Sequence, residues 1–120
     1  MKIIANVGFA LALLIAPVGA FAAGAIAIVD EEGLDPEDVG YGIGYGKSKE
    51  AAQAAAMNEC KKAGNTGCKV AVWFETCGAY AGNKTHYGIG YGRSEAIAKK
   101  MALDECGAKS CKIIVSDCDK

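Results

Sequence analysis

Residues 41–48 read YGIGYGKS, and the phrase returns at 87–94 as YGIGYGRS. Sliding the chain along itself by 46 residues extends the match: Ser48/Ser94, Ala52/Ala98, Ala56/Ala102, Glu59/Glu105 and Cys60/Cys106 coincide. Lys47/Arg93 and Met57/Leu103 keep their chemistry. With a shorter loop the match continues into CKVAVWF at 68–74 and CKIIVSD at 111–117, and upstream GAIA at 24–27 matches GAYA at 78–81. The chain is a duplicated unit, with repeats over about 24–75 and 77–118.

Each unit reads strand, strand, helix, strand. Ile26 and Ile28 alternate with alanine, and Tyr41, Ile43 and Tyr45 alternate with glycine, the period of two that fits a strand. Ser48 and Ser94 stand where a hydroxyl can accept from the free N–H groups of a first helical turn, so helices are expected over about 49–62 and 95–106. Gly64 and Gly107 are their expected left-handed terminators. Val70, Val72 and Phe74, then Ile113 and Val115, supply the third strands. The strand glycines fall on one face, which lets another element approach the backbone closely. The following helices are expected to carry alanine-rich stripes that include Ala52, Ala55, Ala56 and Cys60 in the first copy and Ala98, Met101, Ala102 and Cys106 in the second. The expected fold class is α+β: two pseudo-symmetric ββαβ repeats forming mainly antiparallel sheet, with two alanine-rich helices on one face. The tyrosines opposite the glycines either cover a second core or make a binding surface.

The Gly-Lys-Ser at 46–48 imitates the end of a phosphate-binding loop. That loop needs glycine five residues before its Gly-Lys pair so that backbone N–H groups wrap a phosphate. Tyr41 occupies that position, Arg93 replaces the lysine in the repeat, and an alternating glycine strand is straight. It is not read as a nucleotide site.

At the N-terminus, Met1 and Lys2 precede an apolar run from Ile3 to Ile15, and Pro17 and Gly19 precede Ala20-Phe21-Ala22. Charged start, apolar middle and small-x-small end describe a secretory signal peptide over 1–22, leaving one domain over 23–120. The competing reading is an uncleaved anchor, since the run approaches spanning length. After cleavage no stable membrane insertion is expected, and the protein is placed outside the cytoplasm, secreted or periplasmic. The formal net charge of −1 offers no basic patch for nucleic acid.

All six cysteines, Cys60, Cys68, Cys77, Cys106, Cys111 and Cys118, lie in the mature part. An even count in a small exported chain reads as a disulfide framework. A domain of this size buries only about 60–70% of its unfolded-chain surface, so bridges worth about 2–4 kcal/mol each matter. The repeat favours Cys60–Cys68 and Cys106–Cys111 as staples from each helix end to the next strand. Cys77 and Cys118 then remain, read as closing the third strand of each copy and as cross-linking the two units. No Cys-x-x-Cys occurs and His86 is the single histidine, so neither metal nor cofactor is expected.

Residues 30–39, DEEGLDPEDV, carry six acids where the second copy has the short turn GNKT. Their default reading is a solvated loop, and the sharper one is protein contact through Asp35, Glu37 and Asp38; the spacing of an EF-hand calcium loop is absent. Trp73 aligns with Ser116 and either fills a core gap or is exposed for contact. His86 aligns with Gly40 and has no nucleophile or acid paired with it in a recognisable motif.

Taken together, the Gly-Ala-Ile-Ala start, YGIGYG, the helices ending in Cys60 and Cys106, CKVAVWF and Cys77-Gly78-Ala79 resemble the bacterial family called domain of unknown function 4189, over roughly Gly24 to Cys118. The resemblance implies a small exported protein and no established catalytic residues. The expected role is a disulfide-stabilised, non-enzymatic interaction module, an effector, inhibitor or immunity-type binder of another protein or envelope component. Its candidate surface is Tyr41, Tyr45, Tyr87, Tyr91, Trp73, Asp35, Glu37 and Asp38. A small extracellular or cell-wall hydrolase and a structural envelope protein are the alternatives.

Overall fold

The structure, a computed structural model, describes residues 23–119; the signal peptide expected over 1–22 lies outside the described residues. The first unit consists of β1 (Ala23–Val29), β2 (Gly40–Gly46), α1 (Lys49–Lys62) and β3 (Lys69–Phe74). The second consists of β4 (Cys77–Gly82), β5 (Tyr87–Gly92), α2 (Glu95–Cys106) and β6 (Lys112–Cys118). One 3₁₀ turn, Pro36–Asp38, lies in the acidic segment. Each unit folds into its own three-stranded antiparallel sheet with its first strand central, in the orders β2-β1-β3 and β5-β4-β6.

The helices begin and end for local reasons shared by both copies. Ser48 Oγ accepts from the Ala51 N–H at 3.1 Å and Ser94 Oγ from the Ile97 N–H at 3.2 Å. Caps of this kind contribute about 1 kcal/mol each. Past the helix ends, Gly64 and Gly107 take φ of +93° and +76°, a region that side-chain-bearing residues avoid. Each helix then settles on its glycine strand almost without intervening side chains. A methyl group added at Gly42 would strike the Cys60 backbone nitrogen, and one at Gly44 the Ala56 nitrogen. In the second copy, Gly88 and Gly90 are crowded in the same way by the backbone of α2. Ala25, Ala27, Ala52, Ala56 and Cys60 fill the first of these thin interfaces, and Ala79, Ala81, Ala98, Ala102 and Cys106 the second.

The two helices do not share a face, contrary to the sequence expectation. The sheet faces turned away from the helices are apolar, and they bury one another: Ile26, Val72, Phe74, Tyr80 and Val115 form a third, central core. The result is four layers, helix–sheet–sheet–helix, with each helix on an outer side. Phe74 fits the middle because Gly24 and Gly78, one from each sheet, leave room for its ring.

All three disulfides join the expected partners: Cys60–Cys68, Cys106–Cys111 and Cys77–Cys118. The expected role of the last was wrong. Cys77 does not close the third strand of the first copy; the chain turns through Glu75 and Thr76, and Cys77 opens β4. It sits directly opposite Cys118 across the β4–β6 pair, with their Cα atoms 4.0 Å apart. The bridge therefore lies inside the second unit and does not cross-link the two. One residue pair beyond the matching end of the β1–β3 ladder stand Ala23 and Glu75, so the first copy has no equivalent.

Candidate functional site

The sheets are stacked so that β3 lies over β5, while the end of β2 reaches the end of β6 through the Tyr45 side chain, giving two seams between edge strands that the duplication makes equivalent. In both, the tyrosine side of a glycine strand faces the last residues of a third strand. At the β2–β6 seam, the Tyr45 hydroxyl donates to Asp117 Oδ2 at 2.5 Å and lies 3.1 Å from the Cys118 carbonyl oxygen. Its ring meets Phe74 edge-on, with centroids 6.3 Å apart. This seam is closed.

At the β5–β3 seam the counterpart of Tyr45 is Tyr91, and the counterpart of Asp117 is Phe74. A phenyl ring cannot accept the bond that the carboxylate accepts, and Phe74 is drawn into the central core, 2% exposed. Tyr91 is 52% exposed, and its hydroxyl makes no hydrogen bond among the described residues. The seam stays open as a groove of about 380 Å³, lined by residues 71–75 together with Ile89 and Tyr91. Glu75 is its one charged lining side chain.

Trp73 stands at the lip of the groove, 39% exposed, with Lys49 Nζ 5.3 Å from its ring centroid. A cation over an indole face at such an exposed site is worth about 0.5–1 kcal/mol. The second copy makes the same helix-start to third-strand contact with different chemistry. Glu95 replaces Lys49 and Ser116 replaces Trp73, and the Ser116 hydroxyl donates to Glu95 Oε2 at 2.5 Å. That hydrogen bond, with Lys99 nearby, holds the Glu95 carboxyl below its ordinary range.

The structure thus divides the residues singled out from sequence. Trp73 and Tyr91 come together at the groove. Tyr45 belongs to the closed seam. Tyr41 and Tyr87 lie at the opposite end of the sheets, 44% and 67% exposed. There Tyr87 stacks on Tyr80, with centroids 5.9 Å apart. Asp35, Glu37 and Asp38 are exposed in the acidic segment, which is fastened to the β4–β5 turn. The Gly33 N–H donates to the Lys84 carbonyl at 2.8 Å, and Lys84 Nζ lies 3.7 Å from Asp35. An ion pair this exposed contributes little, so the backbone bond is the firmer tie. His86 is exposed just before β5, its Nδ1 2.9 Å from Thr85 Oγ1. Among the described residues, no cluster of three or more His, Cys, Asp or Glu is placed to hold a metal ion.

Sequence reasoning missed Tyr80, whose hydroxyl donates to Asp30 Oδ2 at 2.5 Å. Tyr80 is the counterpart of Ile26, so the duplication itself gave no reason to expect a polar contact there. Burial, and then the neighbouring carboxylates of Asp117 and Asp30, push the phenols of Tyr45 and Tyr80 far above their ordinary value. The sign follows from linkage. A folded-state pKa above the unfolded one favours the protonated fold, so stability is intact below about pH 10 and is lost as pH rises beyond it. An alkaline titration followed by phenolate absorbance is expected to leave two of the five tyrosines un-ionised until unfolding. Tyr45→Phe and Tyr80→Phe should each remove one of these late steps.

No helix among the described residues is long and apolar enough to cross a membrane. No curated protein and no solved structure matches the chain. Residues 23–118 match the family described as Domain of unknown function (DUF4189), a span that runs from the start of β1 to the last cysteine and takes in both repeats and both seams. The chain belongs to that family, as a small disulfide-rich member whose two halves differ at the seam between β3 and β5.

Proposed function

We propose that the protein is an exported, non-enzymatic interaction module that binds another protein through the open β5–β3 seam, in the manner of an effector, inhibitor or immunity-type binder. The observation that carries this reading is the contrast between the seams. One architecture occurs twice, sealed at Tyr45–Asp117 and open at Tyr91–Phe74, where an indole and a phenol reach solvent on a cross-linked frame. Tryptophan and tyrosine are the side chains that most often dominate interface energetics, because they bury much area at small conformational cost. Three bridges and two backbone-close helix–sheet layers keep these rings positioned before binding, which lowers the cost of association.

Trp73 is the single tryptophan, so its emission reports on the groove directly. A partner captured from envelope or host extract under oxidising conditions should shift that emission on titration. Trp73→Ser combined with Tyr91→Ala should weaken its binding by about 30-fold or more, as for interface residues worth 2 kcal/mol. Both side chains are exposed, so the variant should keep the thermal transition of the parent. Partner binding that ignores the double substitution, or a turnover lost on replacing His86 or Asp35, would overturn the reading.

A further inference from the structure

We propose that the open seam takes an extended peptide segment of the partner protein, added as a strand along the outer edge of β3 at residues 72–74 and ending beside Glu75. The inference rests on reading the groove as a protein-binding site and specifies how the partner is held. Five consecutive residues, 71–75, line the cavity. Successive side chains of a strand point to opposite faces. A groove that touches five neighbours in a row therefore runs along the edge of the strand, where backbone N–H and C=O groups are presented, rather than across either face.

That edge is unpaired within its sheet, because β3 is an outer strand whose sheet partner is β1. An exposed edge of this kind is a template for another strand. Register shifts at Ala71, which has no opposite residue between the Ile26–Val72 and Ala27–Val70 pairs. Such a bulge bends the strand and ends regular pairing, so Val72 sets the upstream limit of the docking edge. The corresponding edge of β6 is blocked, since the Tyr45 hydroxyl sits on the Asp117 carboxylate and beside the Cys118 carbonyl.

Side-chain chemistry narrows the occupant. A strand laid in the seam presents one alternate set of side chains to Ile89 and Tyr91 and the other set to the lip at Trp73. The first set must be apolar or aromatic. Glu75, exposed at the end of the groove, makes no ion pair among the described residues, so the occupant carries Lys or Arg at that end. Lys49, already over the indole, disfavours a second cation at Trp73 itself.

The test uses a random library of short peptides displayed on phage and panned on the folded, oxidised protein. The strongest binder is then synthesised with backbone N-methylation at each position in turn. Selected sequences should place apolar residues at alternate positions and carry a basic residue. Each N-methyl group at every second position should weaken binding by about tenfold, the loss of one well-made backbone hydrogen bond, with little effect at the positions between. A library that yields no binder, or a binder whose N-methyl profile lacks the period of two, overturns strand addition. If that binder is still lost on the Trp73→Ser/Tyr91→Ala substitution, the groove survives as a binding site and only the strand geometry fails. A peptide that binds the double variant as tightly as the parent overturns both.

Discussion

Gly90→Ala is expected to cost about 3 kcal/mol or more of folding stability, at or beyond the upper end of ordinary overpacking. The added methyl group would collide with the Ala98 carbonyl oxygen and lie 2.6 Å from the Ala102 nitrogen. Both are helix backbone, so no rotamer change relieves the overlap. The helix must lift, and with it the interface along Ala98, Ala102 and Cys106, which is 0–3% exposed. The Cys106–Cys111 bridge holds the far end of that helix to the entry of β6 and resists the movement. A fold with the usual 5–15 kcal/mol of stability loses a large share of it in one substitution. Gly33→Ala is the control: nothing lies within 4 Å of its added methyl, and its φ of +96° predicts a cost of only about 1–2 kcal/mol. Urea unfolding of the oxidised proteins compares the two. Equal losses would mean that helix and strand are not in backbone contact.

Replacing Cys77 and Cys118 together by alanine is expected to cost about 4 kcal/mol, against about 2–2.5 kcal/mol for either Cys60/Cys68 or Cys106/Cys111. The ranking follows from the sequence separations closed, 41 residues against 8 and 5. A longer closed loop removes more freedom from the unfolded chain. Unfolding free energies of the three double variants test the order directly. If the two short staples prove the costlier, packing around Cys60 and Cys106 in the thin interfaces outweighs loop closure. Cys60 and Cys106 are 0% and 3% exposed, so that outcome would have a physical source.

The parts of the fold readable in advance were those fixed by local spacing. Alternating glycines announced β2 and β5, serines at 48 and 94 set the helix starts, and the offset of 46 paired Cys60 with Cys106. What resisted reading was the relation between the halves. Glu75 and Thr76 form a connection too short to show as a break, so Cys77 looked like the end of one strand when it begins another. The placement of the helices on opposite outer sides depends on two apolar faces meeting, which no single segment encodes. The site was hidden for a related reason. Tyr45 and Tyr91 are identical in local sequence, and only the residue across the seam, Asp117 or Phe74, decides which is tied down and which is exposed. Trp73 was recognisable as unusual because its copy is Ser116, but its neighbour Lys49 was not, since a change from Lys to Glu at a helix start looks like ordinary surface variation.

Every cysteine is bonded inside its own repeat, which gives the connection at Glu75 and Thr76 an unusual status. Hydrolysis of one peptide bond there severs the molecule into two fragments that no reductant is needed to part in denaturant. Under native conditions the fragments would remain joined, as a non-covalent heterodimer, by the apolar contact around Phe74 and Tyr80 and by hydrogen bonds such as Tyr45–Asp117, Tyr80–Asp30 and Gly33–Lys84. The covalent chain thus preserves, in its wiring, the arrangement in which a single ancestral unit would have had to pair with a second molecule of itself.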